Sequence, residues 1–146
     1  MQQNITVFIV NPDKIDEIFK DFIHKSPFSL KKSIKTMMKY YKLDDNDFYC
    51  QLSLELSSSY KDVKPKNYIY HNGKYFKIAI LKYRMMDYQS NSGKSKGWRI
   101  VALVDELNNY FYLLDLYKHS QGKDDLTPDE NKKVRQLCDE YADNIV

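Results

Sequence analysis

The sequence predicts an α+β domain, a mostly antiparallel twisted sheet packed on an N-terminal helical hairpin, with a C-terminal helix on its edge or flank. Three observations carry that expectation. A β-branched run, Ile5 to Val10, precedes two stretches of helical periodicity. Two turn signals, Asn72-Gly73 and Asn108-Asn109, each separate a pair of strand-like runs. Thr127-Pro128-Asp129-Glu130 spells a capping box ahead of a last amphipathic segment. A length of 146 residues suits a single domain spanning 1–146.

Ile5 to Val10 reads as a short buried strand closed by Asn11-Pro12. Asn11 then caps a helix with Pro12 at its first position, and Ile15, Ile18, Phe19, Phe22 and Ile23 form its apolar stripe up to Ser26-Pro27. A second helix follows Ser29, with Leu30, Ile34, Met37, Met38 and Tyr41 on one face and Lys31, Lys35, Lys39 and Lys42 on the other. From Phe48 to Leu56 apolar residues alternate with Tyr49, Gln51, Ser53 and Glu55, which predicts a half-buried strand over a weaker helical alternative. Tyr68 to Tyr70 and Lys74 to Met85 flank His71-Asn72-Gly73 as a first hairpin. Trp98 to Val104 and Tyr110 to Lys118 form a second, after a basic loop from Asp87 to Lys96. Val134, Leu137, Cys138 and Tyr141 mark the inner stripe of the closing helix.

Composition removes several function classes. Hydrophobic residues at 42% and charged residues at 29% are incompatible with an intrinsically disordered chain. No run approaches the roughly 20 apolar residues of a membrane-spanning helix, so no membrane association is expected. The N-terminus lacks the basic start of a signal peptide, which predicts a cytoplasmic protein. Cys50 and Cys138 have neither CxxC spacing nor a nearby histidine, so both are expected to be buried apolar residues and no metal is expected. Most of the 13 tyrosines are expected to be strand formers, and some can stack on bases.

Net charge is only +3 but unevenly spread. Lys25 to Lys42 holds six lysines and no acid; Lys74 to Arg99 holds seven cations against Asp87; from Asp124 onward seven acids face three cations. Two basic segments and an acidic tail suit a polyanion-binding face, with Lys31, Lys35, Lys39, Lys42, Lys82, Lys94 and Lys96 as candidate RNA contacts. Solvated lysine faces are the alternative. Gly93-Lys94-Ser95 looks like the end of a phosphate loop, but Tyr88 stands where that motif needs glycine, so no nucleotide cofactor is expected. No HExxH, EF-hand or Ser-His-Asp signature occurs, and His24, His71 and His119 lie on unlike elements. Of the three, only His119, beside Tyr117 and Lys118 at a strand end, is placed for proton transfer.

Four stretches occur in order: Lys82-Tyr83-Arg84, Gly93 to Ile100, Tyr112 to Lys118, and Leu126 to Glu130. Together they resemble the RelE/HigB superfamily of bacterial toxins, which has an arginine on a central strand, a GKSGGYR-like loop and strand, a YLLxxYxK-like strand, and an LTxxE-like helix start. Lys96 departs from that pattern by replacing the first glycine of the usual pair, and the segment from Phe48 to His71 exceeds the compact family core. The resemblance implies a RelE-like fold and a toxin that cleaves mRNA on the ribosome without a metal or other cofactor, held in check by a cognate antitoxin. Attack of a ribose 2′-hydroxyl on the adjacent phosphate gathers charge on its oxygens, so Arg84 and Arg99 suit the role of phosphate clamps. Proton transfer falls to Lys118, which matches the family motif, or to Tyr117 with His119, because alternate strand residues face opposite ways. The alternative role for Arg99 and Lys118 is as ion-pair partners of Asp105 and Asp115. A same-fold toxin acting on DNA gyrase and a catalytically silent binding module are the rival functions.

Overall fold

The computed structural model describes residues 5–9, 26–42, 45–86, 97–118 and 125–144. The expected helix from Pro12 to Ile23 and the loop from Asp87 to Lys96 lie outside them. The fold is α+β, with a five-stranded mixed sheet in the order β1-β5-β4-β3-β2. Its strands are β1 (Thr6–Ile9), β2 (Tyr68–His71), β3 (Ile78–Met85), β4 (Trp98–Asp105) and β5 (Tyr110–Lys118). β1 pairs with β5 in parallel, and the other three adjacent pairs are antiparallel. Its outer position leaves Thr6 and Phe8 exposed, which corrects the expectation of a fully buried first strand.

Two consecutive helices, α1 (Leu30–Tyr41) and α2 (Asp45–Tyr60), cover one face. In α1, Leu30, Ile34, Met37 and Tyr41 are buried while Lys31, Lys35 and Lys39 stay in solvent, as the periodicity predicts. Trp98 Nε1 donates to the Tyr41 hydroxyl at 2.6 Å, tying α1 to β4. On the same face the hydroxyls of Ser59 and Tyr83 lie 2.7 Å apart, tying α2 to β3.

α2 corrects the strand expected from Phe48 to Leu56. A leucine at every second position satisfies two periods at once, and packing selects the four-residue one. Phe48, Leu52 and Leu56 are wholly buried, whereas Leu54 is 71% exposed. Asp45–Tyr60 contains no β-branched residue, glycine or proline, so nothing in it resists the helix. Cys50 points outward for the same reason, and only Cys138 is buried as expected.

The second face is covered by α3 (Pro128–Asn144), which packs on the sheet rather than at its edge. Its capping box forms as predicted: Glu130 N donates to Thr127 Oγ1 at 3.1 Å, and Thr127 N donates to Glu130 Oε1 at 2.9 Å. Tyr141 donates to Asp105 Oδ2 at 2.8 Å, and Cys138 Sγ reaches the Ile78 carbonyl at 3.6 Å.

The second hairpin follows the sequence expectation, with Asn109 taking the left-handed φ of 59° that asparagine tolerates. The first has a longer turn than Asn72-Gly73 suggests, since β3 starts only at Ile78. Asn72 explains the difference. Its Oδ1 accepts from Lys74 N and Tyr75 N at 3.1 and 2.7 Å, and its Nδ2 donates to Asp139 of α3 at 2.8 Å, so the turn is organised around that buried side chain.

Candidate functional site

Arg84, Arg99 and Tyr117 stand in direct register on β3, β4 and β5. Residues in register leave the sheet on the same face, with strands about 4.8 Å apart. Lys82 joins them, two residues before Arg84 on β3. Two arginines opposite each other concentrate positive charge at this point of the sheet.

β2 pairs with β3 only as far as Leu81, so among the described residues no strand pairs with the outer edge of β3 from Lys82 onward. A cleft of about 750 Å³ runs along it, with Lys82, Arg84, Arg99 and Tyr117 on one side. Glu55 and Ser58 of α2, with Asp62, Lys64 and Lys66 beyond it, also line the cleft. Arg84 is exposed, whereas Arg99 is only 8% exposed and its Nη1 is buried.

Asp125 completes the cleft, and Lys82 donates to its Oδ1. That hydrogen bond, with smaller help from Leu126 N and the charge of Arg99, holds the Asp125 carboxyl below its ordinary range, so it is ionised at neutral pH. Burial pushes the Tyr117 phenol up to about 12, with Asp125 adding to the shift and Arg99 opposing it. Tyr117 therefore keeps its proton at neutral pH, and its hydroxyl is buried in the wall of the cleft.

Lys118 is not brought to this group. It stands opposite Trp98 in register, on the α1 side, with its Nζ 4.1 Å from the Tyr40 ring centroid and 5.5 Å from that of Trp98. A strand shows neighbouring side chains to opposite faces, so the geometry that places Tyr117 in the cleft takes Lys118 out of it. Asp105 is not the partner of Arg99 either: six residues along β4 is about 20 Å. Its carboxylate is held instead by Asn108 and Tyr141. Asp115 accepts from Ser33 Oγ at 2.7 Å.

His24, His119, Lys94 and Lys96 lie outside the described residues. Lys31, Lys35, Lys39 and Lys42 are exposed on or next to α1, and none lines the cleft. His71 stacks on Phe76 at 3.8 Å and pairs through Nδ1 with that residue's carbonyl, a hairpin role.

Sequence reasoning missed Asp125, Lys64 and Lys66. The signal for Asp125 was its place just ahead of a capping box, in a short return from the end of β5. Lys64 and Lys66 were obscured by reading the segment before them as a strand.

Among the described residues no cluster of His, Cys, Asp and Glu can hold a metal ion, and no helix is long and apolar enough to cross a membrane. No protein-family model matches the chain, and neither a curated protein nor a solved structure does.

Proposed function

We propose that the chain is a RelE/HigB-like toxin, a metal-independent endoribonuclease that cleaves mRNA on the ribosome, works in the cytoplasm and is neutralised by a cognate antitoxin. The observation that supports this most is the in-register set Arg84, Arg99 and Tyr117 in one open cleft. In the reaction the 2′-oxygen bonds to phosphorus, the bond from phosphorus to the 5′-oxygen breaks, and a 2′,3′-cyclic phosphate results. Arg84 and Arg99 stabilise the charge gathering on the non-bridging oxygens. Tyr117, protonated at neutral pH, donates to the departing 5′-oxygen. His119 is the chain's candidate for taking the 2′-hydroxyl proton. Lys118, turned to the other face, serves packing.

The test is cleavage of a defined message on purified ribosomes, read by primer extension, together with pulse labelling after expression without antitoxin. Cuts that require both ribosomes and Arg99, with protein synthesis falling first, are the expected result. DNA synthesis falling first would replace this reading with gyrase inhibition, and neither effect would leave a silent binding module.

A further inference from the structure

The Lys82–Asp125 pair lies inside the cleft rather than on a neutral surface. Asp125 is delivered there by a fixed lead-in. Leu126, the next residue, is buried, its backbone N donates to Asp125 Oδ1 at 2.7 Å, and the capping box of α3 follows at once. Both partners remain reachable from solvent, with side chains 28% and 60% exposed. A carboxylate oxygen and a non-bridging phosphate oxygen satisfy an ammonium in the same way.

We propose that Asp125 is a specificity-determining residue of the cleft: an internal anion seated on Lys82 that a substrate phosphate must displace. This rests on reading the cleft as a phosphodiester site and adds the class of phosphate it accepts. A lone phosphate has to compete with a tethered carboxylate for Lys82. An internal phosphodiester of an extended single strand brings further phosphates to Lys64 and Lys66, which line the same cleft, and those contacts offset the competition. The site therefore selects a strand over a mononucleotide or inorganic phosphate. Asp125 imposes this in proportion to a solvent-accessible ion pair, a factor of about two to five in affinity.

The experiment is anisotropy binding of a fluorescein-labelled 2′-O-methyl trinucleotide, which lacks the nucleophilic hydroxyl, across a salt series. Asp125→Asn should tighten binding about two- to five-fold and steepen the salt dependence by about 0.7, because one more cation is available to the strand. Lys82→Met should weaken binding, and adding Asp125→Asn to it should change nothing. Asp125→Ser, with thermal melts, repeats the test with a different side chain. An equal gain with and without Lys82 would overturn the proposal in favour of long-range repulsion, and no gain would overturn it outright. In both cases binding by the unaltered protein leaves the phosphodiester reading standing. No binding by any form would remove both.

Discussion

At one end of β4 Asp105 is fully buried, and the chain meets its charge completely. Leu107 N, Asn108 N, Asn108 Nδ2 and Tyr141 Oη all donate to it, at 3.0, 3.1, 2.7 and 2.8 Å. At the other end, Arg99 faces Arg84 and Tyr117 in register beside an open cleft, with Asp125 as an exposed carboxylate nearby. A buried charge ringed by its own chain's donors closes a turn and fastens a helix. Like charges aligned on adjacent strands do neither, and together they raise the local positive potential of the cleft they line. The first arrangement is architecture; under the function proposed above, the second is a binding site.

The strongest way to break this contrast is Arg99→Ala. Removing a donor aimed at developing charge costs about 100- to 1,000-fold in turnover. Ribosome-dependent cleavage should fall by that much while the thermal midpoint stays close to wild type. Arg99→Lys should recover only part of it, because an ammonium cannot make the two-pronged contact. A fully active, folded Arg99→Ala protein would make this arginine a structural residue and dissolve the comparison.

Stability should respond in the reverse sense. Trp98→Ala removes a wholly buried indole and its bond to Tyr41, and is expected to cost about 3 to 5 kcal/mol in denaturant unfolding. Asp105→Ala removes the shared acceptor of the turn's Leu107 and Asn108 donors and of buried Tyr141, and is expected to cost about 1 to 3 kcal/mol. Activity per folded molecule should survive Asp105→Ala, since the cleft is a strand's length away.

The strands that build the cleft were legible because each is short, apolar and bounded by turn residues, which also put Arg84, Arg99 and Tyr117 on central strands. Lys118 shows the limit. Strand alternation states that it and Tyr117 part company but not which one meets the arginines, and only the pairing of Trp98 with Lys118 decides it. α2 was hidden by a leucine spacing that serves both periods. The parallel partner of β1 is a non-local pairing with no local signature. Asp125 depends on where a helix lead-in lands, a tertiary fact.

A smaller effect is expected from the lysines of α1, which stand apart from the cleft. Changing Lys31 and Lys35 to Glu should weaken ribosome co-sedimentation and flatten its salt dependence, since mobile ammonium groups position a polyanion without entering the chemistry. The proposed cleavage on ribosomes at saturating protein should be unaffected. Unchanged sedimentation across the salt series would assign the stripe to solvation.

The smallest expected effect sharpens the cleft end of the comparison. Asp125 is held below the ordinary aspartate range chiefly by the hydrogen bond from Lys82. A carboxyl whose folded value is depressed favours the fold at pH above its unfolded value, and that contribution disappears as pH falls through the folded value. The pair is exposed, so the fold itself should scarcely respond; the signal lies in the titration of the side chain. Carbon-detected NMR should show the Asp125 carboxyl titrating below ordinary aspartates in the unaltered protein and moving up towards them in Lys82→Met. Arg99→Ala should raise it less, because Arg99 is the weaker contributor. If Lys82→Met leaves the midpoint in place, Lys82 does not hold this carboxylate in solution. Lys82 would then stand beside Arg84 and Arg99 as a cation that Asp125 does not screen, and a phosphate would have no internal carboxylate to displace from it.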